Sequence, residues 1–241
     1  MLMTTCSHRY TAAALAGLLC LMTGLAWSMP RTVKASYQGY MNGIPIGIVS
    51  EYFEIAGQSY RIQSDTKATG IASLFQRQPL QFSSAGQITR EGLRPSQFEG
   101  RRSAEDTPQV SARFDWANGQ LHLIHDGKNE AFPIAPGTQD RLSIMYQLMF
   151  WPLARMNQLE FNLTNGRKLE RYRYRITADV ELDTHLGRVK TLHLVKQHAP
   201  GETGTELWLS AQHKYFPVKV VYIEKDGIRF EQRIQSLEIR D

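Results

Sequence analysis

Cysteine is nearly absent from this sequence. The only two cysteines, Cys6 and Cys20, lie close to the N-terminus. If the chain is cleaved after Ser28, the remaining protein has no thiol, which excludes disulfides, thiolate metal sites and a cysteine nucleophile. A chain without thiols suits an oxidising compartment, where a free cysteine could pair wrongly.

Long apolar runs are also scarce. The one clear run extends from Ala12 to Ala26, follows Arg9 and ends in Ala26-Trp27-Ser28. It is shorter than the roughly 20 apolar residues of a membrane-spanning helix, and its small final residues suit signal peptidase. The pattern predicts a cleaved signal peptide over residues 1–28, a single mature domain over residues 29–241, a periplasmic location and no transmembrane helix after cleavage. Retention of the segment as a membrane anchor is the alternative.

Catalytic and metal-binding motifs are missing as well. The sequence contains no G-x-S-x-G, H-E-x-x-H or P-loop pattern. His122 and His125 are three positions apart, which on a strand directs them to opposite faces. We therefore expect no catalytic residue, no metal site and no cofactor. A hydrolase of envelope glycan or lipid with an unfamiliar site is an alternative.

Positive charge is in only modest excess. The formal net charge is +5, and basic residues are interleaved with acids, so we expect no nucleic-acid binding. The densest basic row is Arg171, Arg173 and Arg175, which alternates with Tyr172 and Tyr174. On a strand the arginines and tyrosines face opposite ways, so they cannot form a joint stacking and phosphate surface. The arginines are candidate contacts for anionic headgroups, which leaves peripheral membrane contact open.

Turn dipeptides, by contrast, are abundant. Asn-Gly or Asp-Gly occurs five times between strand-like runs. These residues tolerate the positive φ that a type I′ hairpin turn requires at both central positions. Their number predicts a meander of antiparallel strands. The pairs are Asn42-Gly43, Asn118-Gly119, Asp126-Gly127, Asn165-Gly166 and Asp226-Gly227.

The clearest strand runs from Leu169 to Asp183, because apolar and charged residues alternate along it. The loop Thr184-His185-Leu186-Gly187 returns the chain into a partner strand. One register would pair opposite charges on one face and apolar residues on the other. The expected partners are Asp183 with Arg188, Glu181 with Lys190, Leu182 with Val189, Val180 with Thr191, Ala178 with His193, and Ile176 with Val195.

A second hairpin is predicted around Asp226-Gly227. Its strands are Tyr215 to Ile223 and Ile228 to Ile239, with Glu224 near Arg229 and Ile223 near Phe230. Pro217 suggests an edge position or an irregular start. Further strands are expected at Ile46 to Ile55, Tyr60 to Ala68, Leu80 to Ile88, Val110 to Asp115 and Gln120 to His125.

One segment departs from the β pattern. Asp140 is a suitable N-cap, and the residues from Leu142 to Phe150 are apolar on most sides of a helix. A helix this apolar must be covered on most sides, so we expect it inside the sheet. The predicted fold is mainly β: a single, strongly curved antiparallel meander sheet or incomplete barrel with one apolar helix packed in its concavity.

Several phrases together resemble one protein family. In order and spacing they are similar to domain-of-unknown-function family 3108 (DUF3108), exported proteins of Gram-negative bacteria, over nearly all of the mature chain. The resemblance implies an envelope location and a β-rich fold. It implies no catalytic residues, because the family carries no agreed activity. The phrases are Gly92-Leu93-Arg94-Pro95, Phe114-Asp115-Trp116, Gln139-Asp140-Arg141-Leu142-Ser143, Leu186-Gly187, Thr191-Leu192-His193-Leu194, Glu206-Leu207-Trp208-Leu209 and Tyr215-Phe216-Pro217-Val218.

The amphipathic hairpin and the flexible methionines favour a non-enzymatic envelope protein that binds a hydrophobic or lipid-like ligand in a groove. The same residues could equally fill an ordinary core. A second hypothesis is a structural or interaction module that recruits an envelope protein through exposed strand edges. The groove candidates are Leu142, Met145, Tyr146, Met149, Tyr172, Tyr174, Ile176 and His193, and the candidate headgroup contacts are Arg171, Arg173 and Arg175.

Overall fold

The computed structural model describes residues 30–70, 72–75, 78–102, 106–199 and 201–241. The predicted signal peptide, residues 1–28, lies outside the described residues. The described chain contains two short helices, α1 (Ala72–Phe75) and α2 (Ser143–Gln147). Its strands are β1 (Thr32–Met41), β2 (Ile44–Ala56), β3 (Ser59–Ala68), β4 (Leu80–Thr89), β5 (Gly92–Arg101), β6 (Val110–Asp115), β7 (Gln120–His125), β8 (Lys128–Pro133), β9 (Gln139–Asp140), β10 (Gln158–Thr164), β11 (Leu169–Thr184), β12 (Gly187–Lys196), β13 (Gly204–Ser210), β14 (Phe216–Ile223) and β15 (Arg229–Arg240).

All of these strands belong to one sheet. Its order is β8-β7-β6-β5-β4-β3-β2-β1-β15-β14-β13-β12-β11-β10-β9, so the first and last strands of the chain pair in its middle. Neighbours are antiparallel except for the short parallel pair of β9 and β10. The sheet is not closed, because β8 and β9 are its two edges. The expectation of a mainly β, antiparallel meander is therefore confirmed.

The two halves of the sheet approach each other at their far ends. Arg167, in the β10–β11 turn, forms an ion pair with Asp126 in the β7–β8 turn. Gly166 lies so close to β5 and β6 that an added Cβ would be 3.1 Å from side-chain atoms of both Phe98 and Val110. These contacts join strands near opposite edges, so the sheet is curved.

The five Asn-Gly and Asp-Gly pairs all connect consecutive, paired strands. Two are type I′-like turns with positive φ at both residues: Asn42-Gly43 between Met41 and Ile44, and Asp126-Gly127 between His125 and Lys128. The other three lie in longer loops, where only the glycine has positive φ. The turn chemistry thus predicted the connections correctly, but the tight two-residue form occurs only twice among them.

The β11–β12 hairpin confirms the predicted register nearest its turn. Asp183 faces Arg188, Glu181 faces Lys190, Leu182 faces Val189 and Val180 faces Thr191. Farther from the turn the prediction is wrong by one residue, because Thr177 faces His193 and Ile176 faces Leu194. The cause is a β-bulge between Thr177 and Val180, in which Asp179 has a φ of 56°.

The second hairpin forms, but its predicted register is also wrong by one residue. Ile223 faces Arg229 and Tyr222 faces Phe230, because the loop holds one residue more than the predicted register allows. Pro217 does not lie at an edge, since β14 pairs with β13 and β15. It does mark an irregular start: the register of β13 against β14 shifts between Trp208 and Leu209, opposite Pro217.

The expected helix from Asp140 to Phe150 forms only over Ser143–Gln147. Its first part is used differently, because Gln139 and Asp140 pair with Leu163 and Thr164 as a parallel strand. Beyond Gln147 the chain tightens into i to i+3 hydrogen bonds, with the Phe150 N–H 2.9 Å from the Gln147 carbonyl. The single long apolar helix is therefore not observed, and only the five residues Ser143–Gln147 are α-helical within this segment.

Residues 139–150, called the α2 segment from here on, nevertheless join the two halves of the sheet. The Tyr146 ring is fully buried, with its centroid 4.7 Å from that of Phe53 on β2 and 5.6 Å from that of Phe216 on β14. On one side of it lies a core formed mainly by β1–β7, and on the other a core formed by β10–β14. The space left between this segment and the sheet forms the site described next.

Candidate ligand cavity

A cavity of about 630 Å³ lies between the α2 segment and the sheet. Strands from both halves contribute to its wall, from β1–β4 on one side and from β10, β11 and β13–β15 on the other. Its wall is mostly apolar and rich in aromatic rings, which suits a hydrophobic ligand. Residues typical of this wall are Phe82, Met145, Phe161, Leu163, Tyr172, Tyr174, Leu207 and Phe230.

Two glycines leave part of the space in the cavity unfilled by side chains. Gly39 on β1 faces Gly47 on β2, and both glycines line the cavity. A Cβ on Gly47 would lie 2.6 Å from the carbonyl oxygen of Lys67, so no side chain fits there without moving the backbone. The backbones of β2 and β3 therefore approach closely at Gly47, and no side chain from Gly39 or Gly47 occupies the cavity.

A narrower recess of about 40 Å³ adjoins the cavity and is more polar. Tyr37, Glu51 and Arg141 line it, and Arg141 also lines the main cavity. The Glu51 carboxylate accepts hydrogen bonds from the Tyr146 hydroxyl at 3.1 Å and the Ser64 hydroxyl at 3.5 Å. Burial raises the pKa of Glu51, and the hydrogen bond from Tyr146 and the charge of Arg141 oppose that rise. The cavity therefore has apolar walls and one polar end.

The raised pKa of Glu51 predicts a pH-dependent stability. A carboxyl whose pKa is raised on folding stabilises the protein fully below its ordinary pKa of 4.5, and this contribution is lost as pH rises through the folded value. Glu51→Gln removes the titration. The free energy of unfolding of the wild type, relative to that of the variant, should therefore fall as pH rises above 4.5, by at most about 1.4 kcal/mol per pH unit.

Urea denaturation of both proteins from pH 4 to pH 8 measures this difference. Asp140, whose pKa burial also raises, titrates in both proteins and cancels in the comparison. A difference that is constant with pH, or that grows in favour of the wild type, would show that Glu51 is not held in an environment that opposes its charge.

Only some of the groove residues predicted from the sequence lie at the cavity. Met145, Tyr172 and Tyr174 line the cavity, and Leu142 lines the recess. The others are placed elsewhere: Tyr146, Met149 and Ile176 are buried in the core, and His193 lies on the other face of the sheet.

His193 illustrates how the bulge in β11 changes a site prediction. Its ring stacks on that of Trp208 with centroids 4.2 Å apart, and its Nε2 lies 2.9 Å from Glu206. Its chain neighbours Leu192 and Leu194 point the opposite way, into the core. The expected apolar partner, Ala178, is displaced by the bulge, so the inward position predicted for His193 is wrong.

The arginine row of β11 is exposed, as a solvated outer face would be. Arg171 and Arg173 both bind Glu160 of β10, and the Arg173 Nε–Glu160 Oε2 distance is 2.8 Å. Of the three, only Arg175 has no ion pair within the described parts of the chain. Glu160 therefore neutralises part of the positive charge of the arginines that were predicted to contact anionic headgroups.

The most distinctive cavity residue, Arg141, was not predicted from the sequence. It precedes an apolar run, where a charged residue is expected to face solvent, yet it lies against Phe82 with its Cζ 4.5 Å from the ring centroid. Leu207 and Phe230 were also missed, because strands β13 and β15 were not connected to the site. The sequence of β15 gave no usable signal, because polar and apolar residues do not alternate around Phe230, and Phe230, Glu231 and Gln232 all line the cavity.

Neither a metal-binding cluster nor a membrane-spanning helix occurs among the described residues. No group of three or more His, Cys, Asp or Glu side chains is placed to hold a metal ion in the part of the chain that the structure covers. Over the same residues, no helix has the length and apolar character needed to cross a membrane.

Fold and cavity together define a β-protein with one large open sheet and a mostly apolar cavity that opens to solvent. The chain belongs to the DUF3108 family, since the family model described as "Protein of unknown function (DUF3108)" matches residues 36–233. The resemblance noted in the sequence is thereby confirmed. No curated protein matches the chain significantly.

Two solved structures share a broad likeness with this chain. One is a presumed lipoprotein from Parabacteroides distasonis, with 10% identity, a TM-score of 0.35, and coverage of 87% of this chain and 97% of that one. The other is a presumed outer membrane lipoprotein-sorting protein domain from Vibrio parahaemolyticus, with 8% identity, a TM-score of 0.26, and coverage of 86% and 85%. These TM-scores are too low to support an argument about function.

Proposed function

We propose that this protein is a non-enzymatic periplasmic protein that holds a hydrophobic or lipid-like ligand in the cavity between the α2 segment and the sheet. The observation that supports this most is the cavity itself. Its volume of about 630 Å³ falls within the range of about 300–1,000 Å³ typical of small-molecule sites.

The periplasmic location rests on the N-terminal sequence. Arg9, the apolar run from Ala12 to Ala26 and the small residues at its end are the features of an export signal. In that compartment a lipid that leaves a membrane is exposed to water, and enclosure in an apolar cavity removes its chain from that contact. A protein in that compartment with an apolar cavity is thus suited to shield a lipid chain from water.

The alternative of a module that recruits partners through strand edges has less support. The exposed edge strand β8 begins with Lys128 and ends with Pro133. Lysine and proline at an edge are features that discourage pairing with a further strand. The other edge, β9, is two residues long and buried.

Filling the cavity should abolish binding. Met145 is half-buried and lines the cavity, so Met145→Trp places a large rigid ring in the ligand space. We expect this variant to bind a fluorescent fatty acid at least about tenfold more weakly than the wild type. Its free energy of unfolding should change by no more than about 1 kcal/mol, because the ring enters empty space.

Ile44→Trp is the matched control. Ile44 is 64% exposed and does not line the cavity, so the same tryptophan there should leave the affinity unchanged. If the wild type does not bind the fatty acid, or if Met145→Trp binds it as tightly as Ile44→Trp does, the cavity is not the ligand site.

A further inference from the structure

The charged residues of the cavity wall differ in whether they have an ion-pair partner. Lys168 and Glu224 are exposed residues of its wall with opposite charges, and Lys168 Nζ lies 2.8 Å from Glu170. Glu231 also lines it but receives Lys219 at 3.1 Å and the Arg233 Nε at 2.6 Å. The remaining charged residue of the wall is Arg141. Lys168 and Glu231 therefore have partners of opposite charge, whereas the exposed Glu224 forms no ion pair within the described residues.

Of the two cations in the wall, Arg141 is the one without an ion-pair partner among the described residues. Within the described residues its guanidinium makes no ion pair and no hydrogen bond, and it lies over the face of Phe82. It is half-buried and lines both the cavity and the polar recess. A guanidinium carries five N–H donors, and removing such a group from water without an acceptor is unfavourable. Its donors are therefore available to something inside the cavity.

The acid that lines the recess with Arg141 does not pair with it. Glu51 lines the same recess but lies beyond ion-pair distance, and its oxygens accept hydrogen bonds from Tyr146 and Ser64. Tyr222 lines both the cavity and the recess together with Arg141, and Tyr172 lines the cavity. The charge of Arg141 lowers the pKa of both hydroxyl groups against the larger effect of burial. The polar end of the cavity thus presents a guanidinium that has no ion-pair partner among the described residues, with tyrosine hydroxyls and the hydrogen-bonded Glu51 carboxyl lining the same space.

We infer that the ligand is a single-chain amphiphile with an anionic headgroup, and that the headgroup lies inside the cavity against Arg141. This inference rests on the proposed lipid-binding function and adds the class and orientation of the ligand. A carboxylate or a phosphate matches the planar fork of the guanidinium in two hydrogen bonds. The apolar chain then extends along Met145, Leu163 and Phe230 away from the recess.

The test compares headgroups on one chain length. The purified full protein, stripped of bound lipid on a hydrophobic resin, is titrated calorimetrically with palmitate, hexadecyl phosphate and hexadecanol at neutral pH. The two anionic probes should bind at least about tenfold more tightly than the alcohol, because a hydrogen bond to a charged group is worth this factor or more. Inorganic phosphate alone should give no measurable heat, since it lacks the chain.

Variants then locate the headgroup. Arg141→Met should lose the preference for the anionic probes and keep the affinity for hexadecanol, and Arg141→Lys should keep part of the preference. Lys168→Met, which removes a charge from the cavity wall, should change the affinity for palmitate less than threefold. The comparison of probes on the wild type needs no variant, so it decides the question even if Arg141→Met does not fold.

The outcomes separate this inference from the proposed function. Equal affinity for palmitate and hexadecanol would overturn the anionic headgroup and leave lipid binding intact. Loss of palmitate affinity in Lys168→Met but not in Arg141→Met would overturn the inward orientation. Binding of inorganic phosphate as tightly as hexadecyl phosphate would identify a site for a free anion. Failure of all three chains to bind would refute the proposed function itself.

Discussion

Replacing Asp140 with alanine is expected to lower the free energy of unfolding by about 3 kcal/mol. The Asp140 side chain is fully buried and accepts three hydrogen bonds: from the Ser84 hydroxyl at 2.6 Å and from the backbone N–H groups of Leu142 and Ser143, both at 2.9 Å. These bonds fix the start of the α2 segment against β4. Alanine leaves the two backbone N–H groups buried without an acceptor, and the Ser84 hydroxyl keeps only the Tyr60 hydroxyl, 3.2 Å away, as a partner. Each buried donor that loses its acceptor is unfavourable by about 1–3 kcal/mol before relaxation.

Asp140→Asn is the control for this prediction. The amide keeps an oxygen for the two backbone donors, and burial already opposes the charge of Asp140, as the raised pKa of this carboxyl shows. We expect a loss of about 1 kcal/mol or less. Chemical denaturation of the three proteins at pH 7 measures both changes. A stability of Asp140→Ala within 1 kcal/mol of the wild type would mean that the hydrogen bonds do not hold the segment in place.

Replacing Phe53 with alanine is expected to lower the free energy of unfolding by about 3–5 kcal/mol. Phe53 is completely buried on β2, where its ring stacks on Tyr146 at 4.7 Å and on Tyr60 at 6.4 Å. It is thus one of the points at which the sheet contacts the α2 segment. Alanine removes the transfer free energy of the ring and leaves a void that rigid neighbours on two elements cannot fill.

The adjacent Tyr52 provides the control, because neighbouring residues of a strand face opposite sides of the sheet. Tyr52 is half-exposed, and its hydroxyl bonds Glu54 at 3.2 Å. Tyr52→Ala should lower the free energy of unfolding by no more than about 1 kcal/mol. Similar losses at Phe53 and Tyr52, measured by urea denaturation, would contradict the assignment of the two faces of β2.

Much of the fold could be predicted from local sequence patterns. The alternation from Leu169 to Asp183 and the loop after it were enough to pair Leu182 with Val189. The same pattern failed beyond Val180, because a bulge inserts residues without breaking the alternation of the sequence. Asp179 tolerates the positive φ of that bulge, but aspartate also occurs in ordinary strands, so it gave no warning.

The α2 segment was harder to predict, for a physical reason. A run that is apolar on most sides has no single buried face, so its period does not determine how many turns it makes. The parallel pairing of Gln139 and Asp140 with β10 depends on strands distant in sequence. The orientation of Arg141 depends on the same tertiary contacts. The cavity could be suggested from Met145, Tyr172 and Tyr174, but its polar end could not.

The most direct test of the account is native mass spectrometry of the protein purified from the envelope fraction without detergent. We expect part of the wild type to carry one added mass in the range of a single-chain lipid, and organic extraction to recover that molecule. Met145→Trp, purified in the same way, should carry little or none of it. A wild type that is always found at its bare mass, with no lipid in the extract, would contradict the claim that the cavity holds a ligand.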